Sequence, residues 1–317
     1  IAGIGALGAT VWYKQMLSPV DVNSQQTFRI NIKEGMGSSD IAKTLEDNKI
    51  IKNSLAFSIY IRLHNSASKF KAGVYSVKAS QSVDEIINHL TSGKTDEIAI
   101  TFYPGSTDDQ IKKAFAAKYD SLVFAGRPEN AGLEGYIYGE TFYISPDETA
   151  EQVLQRSIDH LEKIVKKYNL EEKFKARGLT LYQGITVASI IQRESIGCGS
   201  GVETCEDQRK IASVFYNRLK ANMPLGSDVT YQYIADKTGV ERSPNLKSPY
   251  NTRVQKGLTP GPIASPSLSA LNAAADPINS DYLYFLSGDD DITYFAKTNE
   301  EHETNVKAHC QKKCQIS

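Results

Sequence analysis

The sequence predicts an α+β fold, in which one or two small modules mixing strands and helices precede a mainly helical part with a small β-hairpin element. Three observations carry that prediction. A strand–glycine–helix pattern occurs twice at an offset of 70 residues, the pattern turns mainly helical from about Glu151, and Tyr282 to Leu286 and Ile292 to Phe295 read as two strands joined by a Ser-Gly-Asp-Asp-Asp turn. A chain of 317 residues exceeds a typical single domain and predicts about two. With 40% hydrophobic and 23% charged residues it has the composition of a folded globular protein, which excludes a disordered or fibrous chain. A formal net charge of -1 leaves no basic excess to release counterions from nucleic acid, so no nucleic-acid partner is expected.

The N-terminus, Ile1 to Tyr13, is uncharged and meets Lys14, with Trp12 and Tyr13 where interfacial aromatics would sit. A full span needs ~20 apolar residues, so residues 1–20 read as the end of an N-terminal membrane anchor that begins upstream. A secretory signal with small residues at Ala6 and Gly8 is the alternative. Either reading exports the rest.

Residues 21–96 form the first module and 97–150 a second, connecting one. Phe28, Ile30 and Ile32 alternate with the two-residue period of a half-buried strand, while Ile41 and Leu45 are four apart, as on one helix face. Ile98, Ile100, Phe102, Gly105, Ile111 and Phe115 repeat this pattern. Ser38 or Ser39 in the first copy and Thr107 in the second are the expected N-caps. Between the copies come a helix from Leu55 to Leu63, a strand from Gly73 to Val77, and a helix opened by the Ser82/Glu85 capping box and closed near Gly93.

In residues 151–317, the Lys-rich stretch from Glu162 to Lys175 reads as a solvated helix face. Thr180 to Ser195 is the best-defined helix, with a capping box at Thr180 and Gln183 and a stripe of Leu181, Ile185, Ala188 and Ile191. Ile211, Val214, Phe215, Arg218 and Leu219 share a face of the next helix, and Ser243 to Ser267 is a Pro/Gly/Ser/Asn-rich loop. The three aspartates of the hairpin turn lack an EF-hand ligand series and read as a solvated turn. Cys198 with Cys205 and Cys310 with Cys314 form two local pairs; in an exported protein disulfides are expected, and neither spacing is that of a zinc knuckle. No metal or cofactor is expected.

Glu194 lies four and seven residues after Ile190 and Val187, which sets its carboxyl on an apolar stripe. Apolar walls disfavour the anion, so its pKa should rise towards the range of a proton donor at neutral pH. The alternative is a helix-end Glu paired with Arg193 or another cation. From periodicity alone both stand.

The surrounding words favour the first reading. They run through Ala188-Ser189-Ile190, Glu194-Ser195, Ala212 to Leu219, Met223-Pro224-Leu225, Ser227-Asp228-Val229-Thr230, Tyr250-Asn251-Thr252, Gly257 to Ile263 and Tyr282 to Phe285, with Leu133-Glu134-Gly135-Tyr136 and Glu140-Thr141-Phe142 upstream. In these the chain resembles the endolytic murein transglycosylase, or YceG-like, family over nearly all its length after the anchor. Phe28 to Gly93 resembles that family's LysM-like N-terminal region. The resemblance implies that residues 151–317 are a transglycosylase domain and that Glu194, at the second glutamate of the family's E-K-E-T word, is the catalytic acid/base. Gln192 stands at the first glutamate, and the cysteine-bearing loop after Glu194 is longer than the family's usual one.

The reaction so implied cleaves the bond between N-acetylmuramic acid and N-acetylglucosamine inside peptidoglycan strands. The glutamic acid protonates the glycosidic oxygen and then takes the proton of the muramyl C6 hydroxyl as that oxygen attacks C1, leaving a 1,6-anhydro end. The partners implied are the glycan strands, the membrane through the N-terminal helix and wall-synthesis proteins, with the enzyme single-pass in the cell membrane and its catalytic part outside the cytoplasm. A muramidase would need a second carboxylate about 5 to 9.5 Å away, for which Asp228 is the candidate; alternatively Asp228 orders its own turn. A glycan-binding scaffold without turnover is the other rival. Ser195, Asp228, Thr230, Tyr250, Asn251 and Thr252 are the candidate substrate contacts, since hydroxyls and amides match sugar edges and an aromatic ring covers a pyranose face. Tyr250, Asn251 and Thr252 could equally order their loop. Pro260, Gly261 and Pro262 would shape the cleft wall, and His302 reads as structural.

Overall fold

In a computed structural model of the chain, residues 2–94, 98–115, 132–144, 148–195, 198–199 and 201–315 are described. The side chains of Ala6, Ile98 and Phe115, all singled out above, lie outside them. The chain divides into two compact units, Ile1–Ala99 with Tyr143–Glu148 and Ile100–Phe142 with Thr149–Ser317. The mixture of helices with small two-stranded sheets is an α+β architecture.

The first unit opens with helix α1 (Ala2–Leu17), followed by β1 (Thr27–Ile32), α2 (Ser38–Asp47), α3 (Ser54–Leu63), β2 (Gly73–Lys78) and α4 (Val83–Ser92). Among the described residues no helix is long and apolar enough to cross a membrane. β1 pairs antiparallel with β2, Phe28 opposite Val77 and Ile30 opposite Tyr75. The expected alternation buries Ile30 and Ile32, which join Ile41, Leu45, Phe57, Tyr75, Val77 and Leu90 in one apolar core. α4 begins with the Ser82/Glu85 capping box and ends at Gly93 in the left-handed conformation, as its sequence requires. At α2 the expectation fails. Its N-cap is Gly37 rather than Ser38 or Ser39, and no side chain caps it, because both serines already lie inside the helix or at its first turn.

The division between the units falls within β3 (Ile98–Thr101) and β4 (Thr141–Ile144), which pair with each other. α5 (Asp108–Phe115) follows β3 and completes the second copy of the repeat. Gly35 and Gly105 turn the chain between strand and helix with φ of +78° and +88°, a region closed to most side chains. Thr107 caps α5 as expected: its hydroxyl accepts from the amide of Gln110, whose side chain accepts from the Thr107 amide.

The second unit continues with α6 (Ala150–Lys167), α7 (Leu170–Lys175), α8 (Leu181–Glu194), α9 (Glu206–Lys220), α10 (Asp228–Thr238) and α11 (Leu268–Ala275). It ends in the hairpin β5 (Tyr284–Ser287) and β6 (Thr293–Ala296), then α12 (Asn299–His309). The Lys-rich stretch is two helices rather than one face, broken where Asn169 takes a φ of +55°. Its lysines are largely exposed, while Ile164, Val165, Leu170 and Phe174 turn inward. α8 is the centre of the unit. It packs against α7, α9, α10 and α11, and every residue from Gly184 to Ile191 is buried.

The two cysteine pairs are bonded as neighbours, Cys198 to Cys205 and Cys310 to Cys314. The hairpin aspartates are engaged rather than merely solvated. Asp289 accepts from the amides of Gln311, Lys312 and Lys313, and Asp291 pairs with Lys313 at 2.6 Å. His302 is half-buried against the ring of Tyr284, a packing role.

Candidate active site

α8 starts at the Thr180/Gln183 capping box and stops at Glu194, where Ser195 turns to extended backbone. Its polar side chains hold the surrounding elements. Ser189 Oγ accepts from the amide of Ile263 at 3.0 Å, and Gln192 Oε1 accepts from the amide of Ser267 at 3.0 Å, the residue that caps α11. Gln192 therefore joins α8 to the start of α11. Ser195 Oγ donates to the Ile191 carbonyl and accepts from Gln208 Nε2 at 2.9 Å, so it ties α8 to α9.

Glu194 meets the start of α10. Ser227, the residue before α10, occupies the N-cap position but makes no side-chain cap; its hydroxyl donates instead to Glu194 Oε1. The hydroxyl is aimed by a closed network. The Ser227 amide donates to Thr252 Oγ1 at 3.1 Å, Thr230 Oγ1 donates to the Ser227 carbonyl at 2.6 Å, and the Thr252 amide donates to Thr230 Oγ1 at 3.2 Å. Asn251 holds its own loop, donating to the carbonyls of Pro244 and Leu246 and accepting from the amide of Arg253. Thr230, Asn251 and Thr252 are at most 1% exposed. Their side chains are engaged in holding the start of α10 and the loop around Asn251.

Asp228 is neither a turn residue nor a free second carboxylate. It is the first residue of α10, where a carboxylate favours the positive helix end, and it forms an ion pair with Arg253. Tyr250 stays partly exposed, its ring 5.3 Å from that of Tyr233. Two glycines of the quoted words are fixed by close approach. A Cβ on Gly135 would come 2.5 Å from Pro262, and one on Gly261 would strike the Tyr182 hydroxyl. Glu134, beside Gly135, is buried and accepts from the Asp108 amide and the Tyr233 hydroxyl, each at 3.0 Å, so the Leu-Glu-Gly-Tyr word staples α5 to α10.

Glu194 keeps part of its side chain accessible, but burial of its carboxyl raises its pKa from 4.5 to about 7. The Ser227 hydrogen bond pulls it down; the charge of Asp228 adds to the rise, while Arg193 and Arg253 oppose it. The expectation drawn from the apolar stripe is met, and by the expected cause. A carboxyl so poised can give a proton at neutral pH and take one back. Ser227 and Arg253 were not singled out as site residues. Ser227 stood inside a quoted word, whereas Arg253 carried no pattern at all. Among the described residues no group of three or more His, Cys, Asp or Glu could hold a metal ion.

The model of the YceG-like family matches residues 30–308. The endolytic murein transglycosylase of Bacillus subtilis (strain 168) is 35% identical over 327 residues, covering 93% of this chain and 88% of that protein. That of Streptococcus pneumoniae serotype 2 is 31% identical over 348 residues, covering 94% of this chain and 61% of the relative's own length. A crystal structure of a yceG-like protein from Listeria monocytogenes aligns with a TM-score of 0.51 at 29% identity, over 89% of this chain and 99% of that one.

Proposed function

The chain belongs to the YceG-like family, and from that premise we propose that it is an endolytic murein transglycosylase that uses Glu194 as its only acid and base. The observation that carries this reading is a carboxyl at the end of α8 that burial keeps protonated up to about pH 7, beside a single aimed hydroxyl. Asp228 is taken up by Arg253, which argues against a two-carboxylate hydrolase.

In this mechanism the protonated Glu194 gives its proton to the glycosidic oxygen as the C1–O bond breaks. The resulting carboxylate, held by Ser227, accepts the proton of the muramyl C6 hydroxyl while that oxygen bonds to C1. The proton returns to Glu194 and no water is consumed. Because the nucleophile is tethered to the reacting sugar, its attack gains from proximity that free water lacks. Wall digested with the soluble protein should yield anhydro ends, lighter by one water than hydrolysed ones, from cuts inside strands. Glu194→Gln should abolish cleavage, because the amide keeps the volume without the transferable proton. Reducible muramic ends, or an active and folded Gln variant, would sink the assignment.

The first unit has its own core and a strand–helix–helix–strand order from β1 to β2, which supports reading residues 21–96 as the LysM-like module and 151–317 as the transglycosylase domain. A fragment of residues 21–96 should sediment with purified wall without cutting it, and failure to bind would remove the LysM-like role. The apolar start from Ile1 to Tyr13 and the two local disulfides support a single-pass anchor in the cell membrane, with the remainder outside the cytoplasm. That position would bring wall-synthesis proteins within reach as partners.

A further inference from the structure

A cavity of about 210 Å³ lies in the second unit between the start of α5, the end of α8 and α10, lined among others by Asp109, Lys113, Arg193, Tyr233, Asp236 and Lys237. Most of its charges are already matched. Lys237 Nζ stands 3.6 Å from Glu134 and 3.9 Å from Asp109, and the Tyr233 hydroxyl donates to Glu134. Asp236 is held at both oxygens by Arg242, at 2.8 and 2.7 Å. Two cations are not matched. Among the described residues Arg193 and Lys113 have neither a hydrogen bond nor an ion pair of their side chains, although Arg193 is half-buried.

Arg193 feels Asp236, Glu134 and Glu194 only as more distant charges. A guanidinium stays protonated in proteins, and withdrawing one from water without a partner anion is unfavourable. The cavity therefore favours an anion. Its size narrows the choice, because pockets that enclose a whole ligand run to roughly 300–1,000 Å³, and this one admits a branch or a chain end. Its lining favours a charged group over a sugar ring, since the Tyr233 ring there already has the Lys237 ammonium over it at 5.3 Å and packs against Tyr250. A planar fork of N–H groups matches a carboxylate at both oxygens. Arg193 immediately precedes Glu194 in α8, which puts the cavity at the same end of that helix as the proposed catalytic carboxyl.

We propose that this cavity receives a carboxylate of the short peptide carried by the murein strand, and that Arg193 and Lys113 thereby make a peptide-bearing strand a better ligand than a bare one. The inference rests on the transglycosylase reading. Its test uses binding as well as turnover, so that the two can fail separately. The full soluble protein carrying Glu194→Gln would be titrated with purified glycan strands whose peptides are intact, and with the same strands after an amidase has removed the peptides. Peptide-bearing strands should bind about tenfold more tightly or better, as one charge-assisted contact warrants. Adding Lys113→Gln, an exposed position on α5, or Arg193→Gln should each bring that ratio several-fold closer to one. Equal binding of the two strands, or a ratio that neither substitution moves, would overturn the proposal. A protein that prefers peptide-bearing strands yet, with Glu194 intact, cuts neither kind would leave the cavity's role standing and refute the proposed reaction instead.

Discussion

At the scale of single residues, Glu194 owes its poise to what surrounds it. Burial lifts its pKa to about 7, and the Ser227 hydroxyl is the strongest influence in the other direction. Cleavage that needs the protonated acid should therefore decline as pH rises through about 7. Ser227→Ala removes a lowering influence, so the pKa rises and the protonated fraction survives to higher pH. The alkaline limb of the rate profile should move up, while the plateau rate falls by roughly tenfold or less for one lost hydrogen bond. A slower variant with its limb unmoved would reduce Ser227 to a structural part. The apolar setting of Glu194 was legible from periodicity, whereas its proposed role was read from the resemblance of the words around it. Ser227 was not, since its contact spans 33 residues of sequence and no local pattern encodes it. Thr230, Asn251 and Thr252 carry groups that suit a sugar's edges and a loop's own hydrogen bonds alike. Only burial separates those two.

At the scale of elements, the capping boxes at Ser82 and Thr180 were legible because the residues that form them are three apart, and Thr107 was legible as an N-cap without its Gln110 partner. The surroundings of α8 were not. Its sequence shows one apolar stripe, but the helix is buried continuously from Gly184 to Ile191. Two polar residues in that run satisfy themselves on their own helix, Thr186 Oγ1 on the Tyr182 carbonyl at 2.8 Å and Ser189 Oγ on that of Thr186 at 2.7 Å, and so can be buried. Gly184 gives a direct test of which force governs this helix. Helix propensity alone predicts that Gly184→Ala stabilises by about 1 kcal/mol. Packing predicts the opposite, because a Cβ there would run into the ring of Phe174 in α7. Denaturant titration should show a loss of about 1–3 kcal/mol, the usual penalty for overpacking a close contact. A gain would mean that α7 yields more readily than its buried Leu170 and Phe174 suggest.

At the scale of the whole molecule, the repeat at an offset of 70 residues was legible as strand, glycine and helix, and both copies are built that way with the glycine at positive φ, although the division between the units falls within the second copy's strand. The cysteines were legible only as two neighbouring pairs, since spacing cannot rank connectivities. Each bridge is local, spanning sequence separations of 7 and 4. In the chain-entropy account, loops this short still contribute about 2 kcal/mol apiece. The Cys310–Cys314 bridge also closes the segment whose amides bind Asp289, while the Asp289 amide donates back to the His309 carbonyl at 2.7 Å. Reduction should therefore lower the melting temperature and loosen this C-terminal clasp on the hairpin turn. The bridges depend on compartment, because a reducing cytoplasm keeps thiols reduced. Protein taken from its own cells with thiols blocked at lysis should accept no label until it is reduced, and then accept four, one for each cysteine. Free thiols before reduction would overturn the bridges and remove the support they lend to the proposed extracytoplasmic location.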